Sequence, residues 1–176
     1  PVITSPASPH LGNSLSLALA GTCTSGMTVT IDPDDATDPG VATATTPCTD
    51  GAFEVALSGG EGEHVYALRQ LDPVSGLTST PVSFAWTIDL TAPAAVVVDS
   101  PAANPYASGF DALELGGACE PGATVVLGGD GPDRAAACDG RFAFTIARAV
   151  NGTFTFTLGG VDQAGKVGHD VGFTWT

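Results

Sequence analysis

Positive charge is nearly missing from this sequence. Lys and Arg together number five against 19 Asp and Glu, for a formal net charge of −14. Nucleic acid and anionic membrane surfaces are met by clustered cations, so this balance argues against both as partners. Also lacking is any run of about 18 apolar residues, so no segment reads as a membrane-spanning helix. There is no C-x-x-C pair, no histidine at zinc-ligand spacing and no G-x-S-x-G frame. The stretch "LGGDGPD" (127–133) lacks the lysine and following helix of a phosphate-binding loop. His10, His64 and His169 fall at strand edges or in loops. A Ser-His-Asp triad could be assembled only by free choice among common residues. The chain is therefore expected not to be an enzyme.

What is present is a core made of short pieces. Of 176 residues, 43% are hydrophobic, which suffices for a globular core. The apolar segments are brief, rich in Val, Thr, Phe and Leu, and separated by 23 Gly and 13 Pro with Asp and Ser. That pattern predicts many short strands and no helix, an all-β protein. Four cysteines, an even number, point to an oxidising compartment. A chain that begins at Pro1 without methionine reads as a piece of something longer.

The chain repeats itself. "LALAGTCTSGMTVTI" (17–31) lies over "LELGGACEPGATVVL" (113–127), with Leu17, Leu19, Gly21, Cys23 and Gly26 matching Leu113, Leu115, Gly117, Cys119 and Gly122. "CTDGAFEV" (48–55) then matches "CDGRFAF" (138–144), and "VSFAWT" (82–87) matches "VGFTWT" (171–176). The offset is 96 residues at the first cysteine and 90 at the second, so the second copy is shorter between its cysteines. Each copy has the size of a small domain. Residues 1–89 and 90–176 are expected to form two domains, divided at "TIDLTAPAAVVV" (87–98), where Pro93 stops the strand ladder.

Alternation in the first copy gives strands at Val2–Thr4, Leu15/Leu17/Leu19, Val29/Ile31, a weak one near Val41–Thr45, Phe53/Val55, 65–68 and Val82/Phe84/Trp86. In the 65–68 strand either Val65 and Ala67 or Tyr66 and Leu68 face inward. Seven short strands in under 100 residues predict an immunoglobulin-like β-sandwich, twice in tandem. Phe53, Phe84, Trp86, Phe142, Phe173 and Trp175 recur at matching inward positions and are read as core. Cys23 ends the second strand and Cys48 opens the fifth, as do Cys119 and Cys138. Those strands are neighbours in such a sheet, which predicts the disulfides Cys23–Cys48 and Cys119–Cys138. It is not the inter-sheet bridge of antibody domains, whose second cysteine lies on the sixth strand.

The residues "GACEPGATVVL", "DGRFAF", "NGTFTFTLGGVDQAGKVG" and "WTIDLTAP" resemble the bacterial immunoglobulin-like repeats of large surface adhesins, in their cysteine-containing subset. The resemblance covers both copies and is better in the second. The first departs from it at Asp72-Pro73-Val74-Ser75-Gly76, at Thr24-Ser25-Gly26-Met27 and in the insert "DPDDATDPG" (32–40). It implies a secreted or bacterial cell-surface location and a structural role, as part of a stalk whose partners are neighbouring repeats. Two other readings remain open. One domain, with the 32–47 insert of the first copy as the favoured place, binds a surface protein or glycan; or the pair is appended to a secreted enzyme.

Calcium is the one cofactor expectation. "DPDDATD" (32–38) is no EF-hand loop, for it lacks the sixth-position Gly and final Glu. In a sandwich, however, three loops share the end where the chain enters. In the second domain these carry Glu120, Asp139 and Asp162, and the chain arrives through Asp89. Four converging carboxylates would call for a cation such as Ca²⁺, and the resemblance implies junction calcium as well. The alternative is that Asp139 and Asp162 cap turns.

Overall fold

In the computed structural model, residues 1–33 and 44–176 are described. They divide into two compact units, Pro1–Leu90 and Thr91–Thr176. No helix occurs among the described residues.

The first unit has strands β1 (Val2–Ser5), β2 (His10–Gly12), β3 (Ser16–Thr22), β4 (Thr28–Pro33), β5 (Ala44–Pro47), β6 (Ala52–Ser58), β7 (Gly62–Leu71) and β8 (Val82–Ile88). They form two sheets, β1-β3-β6 and β2-β8-β7-β4-β5. The second unit has β9 (Val97–Ser100), β10 (Ala112–Ala118), β11 (Thr124–Gly129), β12 (Arg134–Ala137), β13 (Arg141–Ala147), β14 (Phe154–Val161) and β15 (Val171–Trp175). Its sheets are β13-β10-β9 and β12-β11-β14-β15. Apart from β2, the two units share one topology strand for strand, an immunoglobulin-like sandwich.

Period-two burial explains why each segment folds this way. Along β13, Phe142, Phe144 and Ile146 are buried and the residues between them exposed. Such alternation suits a sheet packed on one face and wet on the other. The six aromatics read as core are all buried, Phe84 and Trp175 completely. In β7 it is Tyr66 and Leu68 that join the core cluster.

Three details differ from the sequence reading. Leu15 does not extend the buried face of β3; it precedes the strand and is 51% exposed. The weak fourth strand begins at Ala44, and the rest of its expected span, with residues 34–40 of the insert, lies outside the described residues. An eighth strand, β2, is present in the first unit. It pairs in parallel with β8, His10 opposite Trp86. The second unit makes the same crossing with a single parallel bridge, Tyr106 to Trp175. Between β1 and β2 lie two cis prolines, Pro6 and Pro9, and the second unit repeats them at Pro101 and Pro105.

Gly21 and Gly117 show why the repeat keeps glycine there. A Cβ on Gly21 would collide with the Val2 carbonyl and the Phe53 ring, and one on Gly117 with the Val97 carbonyl. The first strand of each sandwich can lie against the next only where no side chain intervenes.

Candidate functional site: the disulfide-pinned loop end

All four cysteines are bridged, Cys23 to Cys48 and Cys119 to Cys138, with Cα separations of 5.9 and 6.1 Å. The bridges tie the β3–β4 turn to the β5–β6 turn, and β10–β11 to β12–β13. Backbone bonds reinforce each tie. Cys23 N–H donates to Gly51 O at 2.9 Å and Cys48 N–H to Met27 O at 2.8 Å. In the second unit Cys119 N–H reaches Gly140 O at 3.2 Å and Cys138 N–H reaches Ala123 O at 2.9 Å. Gly26 and Gly122 turn the chain at φ of 85° and 90°, a region that favours glycine. The bridges close loops of 25 and 19 residues. On chain-entropy grounds each contributes about 3 kcal/mol.

The same end carries the carboxylates considered for calcium. Glu120 Oε2 accepts the Ala94 N–H at 2.9 Å, fastening the incoming chain. Asp162 Oδ1 accepts the Lys166 N–H at 2.8 Å, capping the β14–β15 turn, while its Oδ2 is buried with no hydrogen-bond partner. Asp139 is exposed on the β12–β13 turn. Asp89 belongs to the first unit, where its N–H donates to Gly12 O at 2.9 Å. Among the described residues no three or more His, Cys, Asp or Glu side chains are placed to hold a metal ion. Within the second unit Glu120 and Asp162 thus each accept a backbone N–H.

In the first unit Asp72 does for its turn what Asp162 does in the second. Asp72 Oδ2 accepts the Ser75 hydroxyl at 2.7 Å and Oδ1 the Val74 N–H at 2.9 Å. The Ser75 hydroxyl, then the Val74 amide, hold its carboxyl below the usual aspartate range.

Sequence reasoning missed how each buried tryptophan is covered. Over Trp86 lies His64, ring centroids 5.9 Å apart, with His64 Nε2 2.7 Å from Gly60 O. Over Trp175 lies Arg148, its guanidinium carbon 4.3 Å from the ring centroid. Arg148 is only 9% exposed and donates to Ser108 O at 2.6 Å and Phe110 O at 3.1 Å. The Trp175 indole N–H reaches Ser108 Oγ at 3.0 Å. The three histidines thus divide among a short strand, this tryptophan cover and a backbone contact of His169 Nδ1 with Asp170 O at 2.7 Å.

These features define a class: an all-β pair of immunoglobulin-like or fibronectin-III-like sandwiches. No protein-family profile and no curated protein matches the chain. Among solved structures it is similar to the fibronectin(III)-like modules of Clostridium thermocellum CbhA, with a TM-score of 0.59, 13% identity, and coverage of 99% of this chain and 92% of that one. It is also similar to the D00-D0 domain of intimin, with a TM-score of 0.38, 12% identity, and coverage of 99% and 98%. A further likeness is to the Yersinia pseudotuberculosis adhesin InvE, with a TM-score of 0.36, 12% identity, and coverage of 96% and 57%. The first supports the fold; the other two score too low to carry an argument.

Proposed function

We propose that this chain is a non-catalytic structural module of a secreted or bacterial cell-surface protein, two tandem sandwiches serving as a spacer within a stalk. The observation that carries the reading is the disulfide tie repeated in each unit at the same pair of turns. Such ties persist in oxidising surroundings. They also keep 25 and 19 residues of the chain closed when force is applied to its ends. Both cores are complete without a ligand, and the buried polar groups at the tryptophans are spent on packing. The resemblance to adhesin repeats and the scarcity of cations agree with an extracellular setting.

Pulling single molecules between their termini tests this. Two unfolding events are expected, and reduction should lengthen them by about 90 Å and about 65 Å, at roughly 3.5 Å per released residue. One event, or lengths indifferent to reductant, would remove the support the bridges give.

A further inference from the structure

Among the differences between the outward face of the β12-β11-β14-β15 sheet and its counterpart in the first unit, two positions stand out. In the first unit Asp32 and Arg69 stand on β4 and β7, and their side chains approach to 4.0 Å, covering the sheet. By register the same positions in the second unit are Gly128 and Gly159, since Val126 pairs with Gly159 as Thr30 pairs with Arg69. The second unit has no side chain at either position where the first has an ion pair. A groove of about 260 Å³ results, rimmed by Val126, Val161 and Val167.

Two carboxylates stand over this floor. A Cβ on Gly159 would collide with Asp170 Oδ1, and one on Gly128 would touch Asp133 Oδ1 at 3.4 Å. Both aspartates are exposed, and neither takes part in an ion pair among the described residues. The unit's own arginines are engaged elsewhere: Arg134 on the Thr145 carbonyl, Arg141 on Asp99 at 2.7 Å, and Arg148 over Trp175. An apolar trough with anionic walls complements an alkyl stem that ends in a cation. Its size falls below the ~300–1,000 Å³ of small-molecule pockets, which suits one long side chain. Beside it, β12 is the edge strand of the sheet, and exposed Ala135 and Ala137 leave the approach open.

We infer that this face of the second unit is a docking surface for an extended segment of a partner protein, seating one Lys or Arg side chain over Gly128 and Gly159 between Asp133 and Asp170. The assignment goes beyond the spacer reading and does not depend on it. It places binding in the second unit, away from the 32–47 insert.

The test is a titration of the isotope-labelled whole chain with acetyl-Thr-Lys-Thr-amide, followed through backbone amide signals, with the norleucine peptide as the uncharged control. The lysine peptide should move the signals of Val126, Gly128 and Gly159 saturably, and the norleucine peptide should not. In Asp133→Asn/Asp170→Asn, checked for an unchanged melting temperature, affinity should fall about tenfold, as for two exposed charge pairs removed together. The first unit serves as an internal control, because residues 1–90 hold ten carboxylates against one arginine while 91–176 hold nine against four cations. Adventitious attraction to acid would appear there first. Shifts spread over both units, shifts surviving the double substitution, or no saturable shift would each overturn the assignment.

Discussion

The two sandwiches solve one problem in two ways. Each buries a tryptophan on its last strand beneath a group that is itself hardly exposed, yet the groups come from different places. In the first unit His64 projects from β7 over Trp86, and Gly59 leaves it room, since a Cβ there would meet the His64 ring. In the second, the place of Gly59 is held by Arg148, as shown by the matching bonds Gly59 N–H to Leu15 O at 3.1 Å and Arg148 N–H to Asp111 O at 2.9 Å. The position of His64 is held by Phe154, since each pairs with its tryptophan across the ladder. The second unit thus fills both places, with Arg148 over Trp175 and the Phe154 ring centroid 5.9 Å from that of Trp175. The repeat is therefore strict in its seven shared strands and its cysteines, and free in what closes over the core.

Substitutions that break this comparison should have the largest effects. Trp86→Ala and Trp175→Ala should each cost about 3–5 kcal/mol in their own unit, measured by urea unfolding. Trp175→Phe should cost more than Trp86→Phe, because it also strands Ser108 Oγ, which the indole N–H reaches at 3.0 Å. Arg148→Met should lose about 2 kcal/mol, from a desolvated cation–π contact and two carbonyls left without their donor. A loss no greater than that of an exposed arginine would show that Arg148 is mere cover.

A smaller effect belongs to the β7–β8 turn. The carboxyl of Asp72 is held below its ordinary value of 3.8 in the folded state. Its contribution is therefore present above that value and lost as pH falls through the lowered one. The melting-temperature gap between wild type and Asp72→Asn should be open at neutral pH and close under acid. The smallest response to be checked is to calcium. A rise in melting temperature on adding Ca²⁺ to chelator-treated protein, abolished by Asp162→Asn, would assign an ion to that loop end, and no rise would leave Glu120 and Asp162 as acceptors of backbone N–H alone.

Much of this could be read from sequence, and the boundary of what could is physical. Strand alternation and cysteine spacing are local signals, so the buried aromatics and both bridges follow from short windows. Leu15 defeats the window because alternation does not say where a strand begins. β2 escapes it because three residues next to Pro9 carry too little pattern, and their partner β8 lies over 70 residues away. Arg148 and the Gly128–Gly159 floor depend on which strands meet and in what register, which no single window contains. Carboxylates on three loops of one domain suggested an ion. The fold shows Glu120 and Asp162 accepting backbone N–H groups, because a turn supplies donors close at hand.

Central to the account is that each unit holds its own core and is pinned by its own bridge. Calorimetry of the intact chain tests this most directly, comparing wild type with Cys23→Ala/Cys48→Ala and with Cys119→Ala/Cys138→Ala. Two transitions are predicted, each lowered selectively by loss of its own bridge, by an amount corresponding to about 3 kcal/mol. A single transition that moves as one with either pair would contradict it.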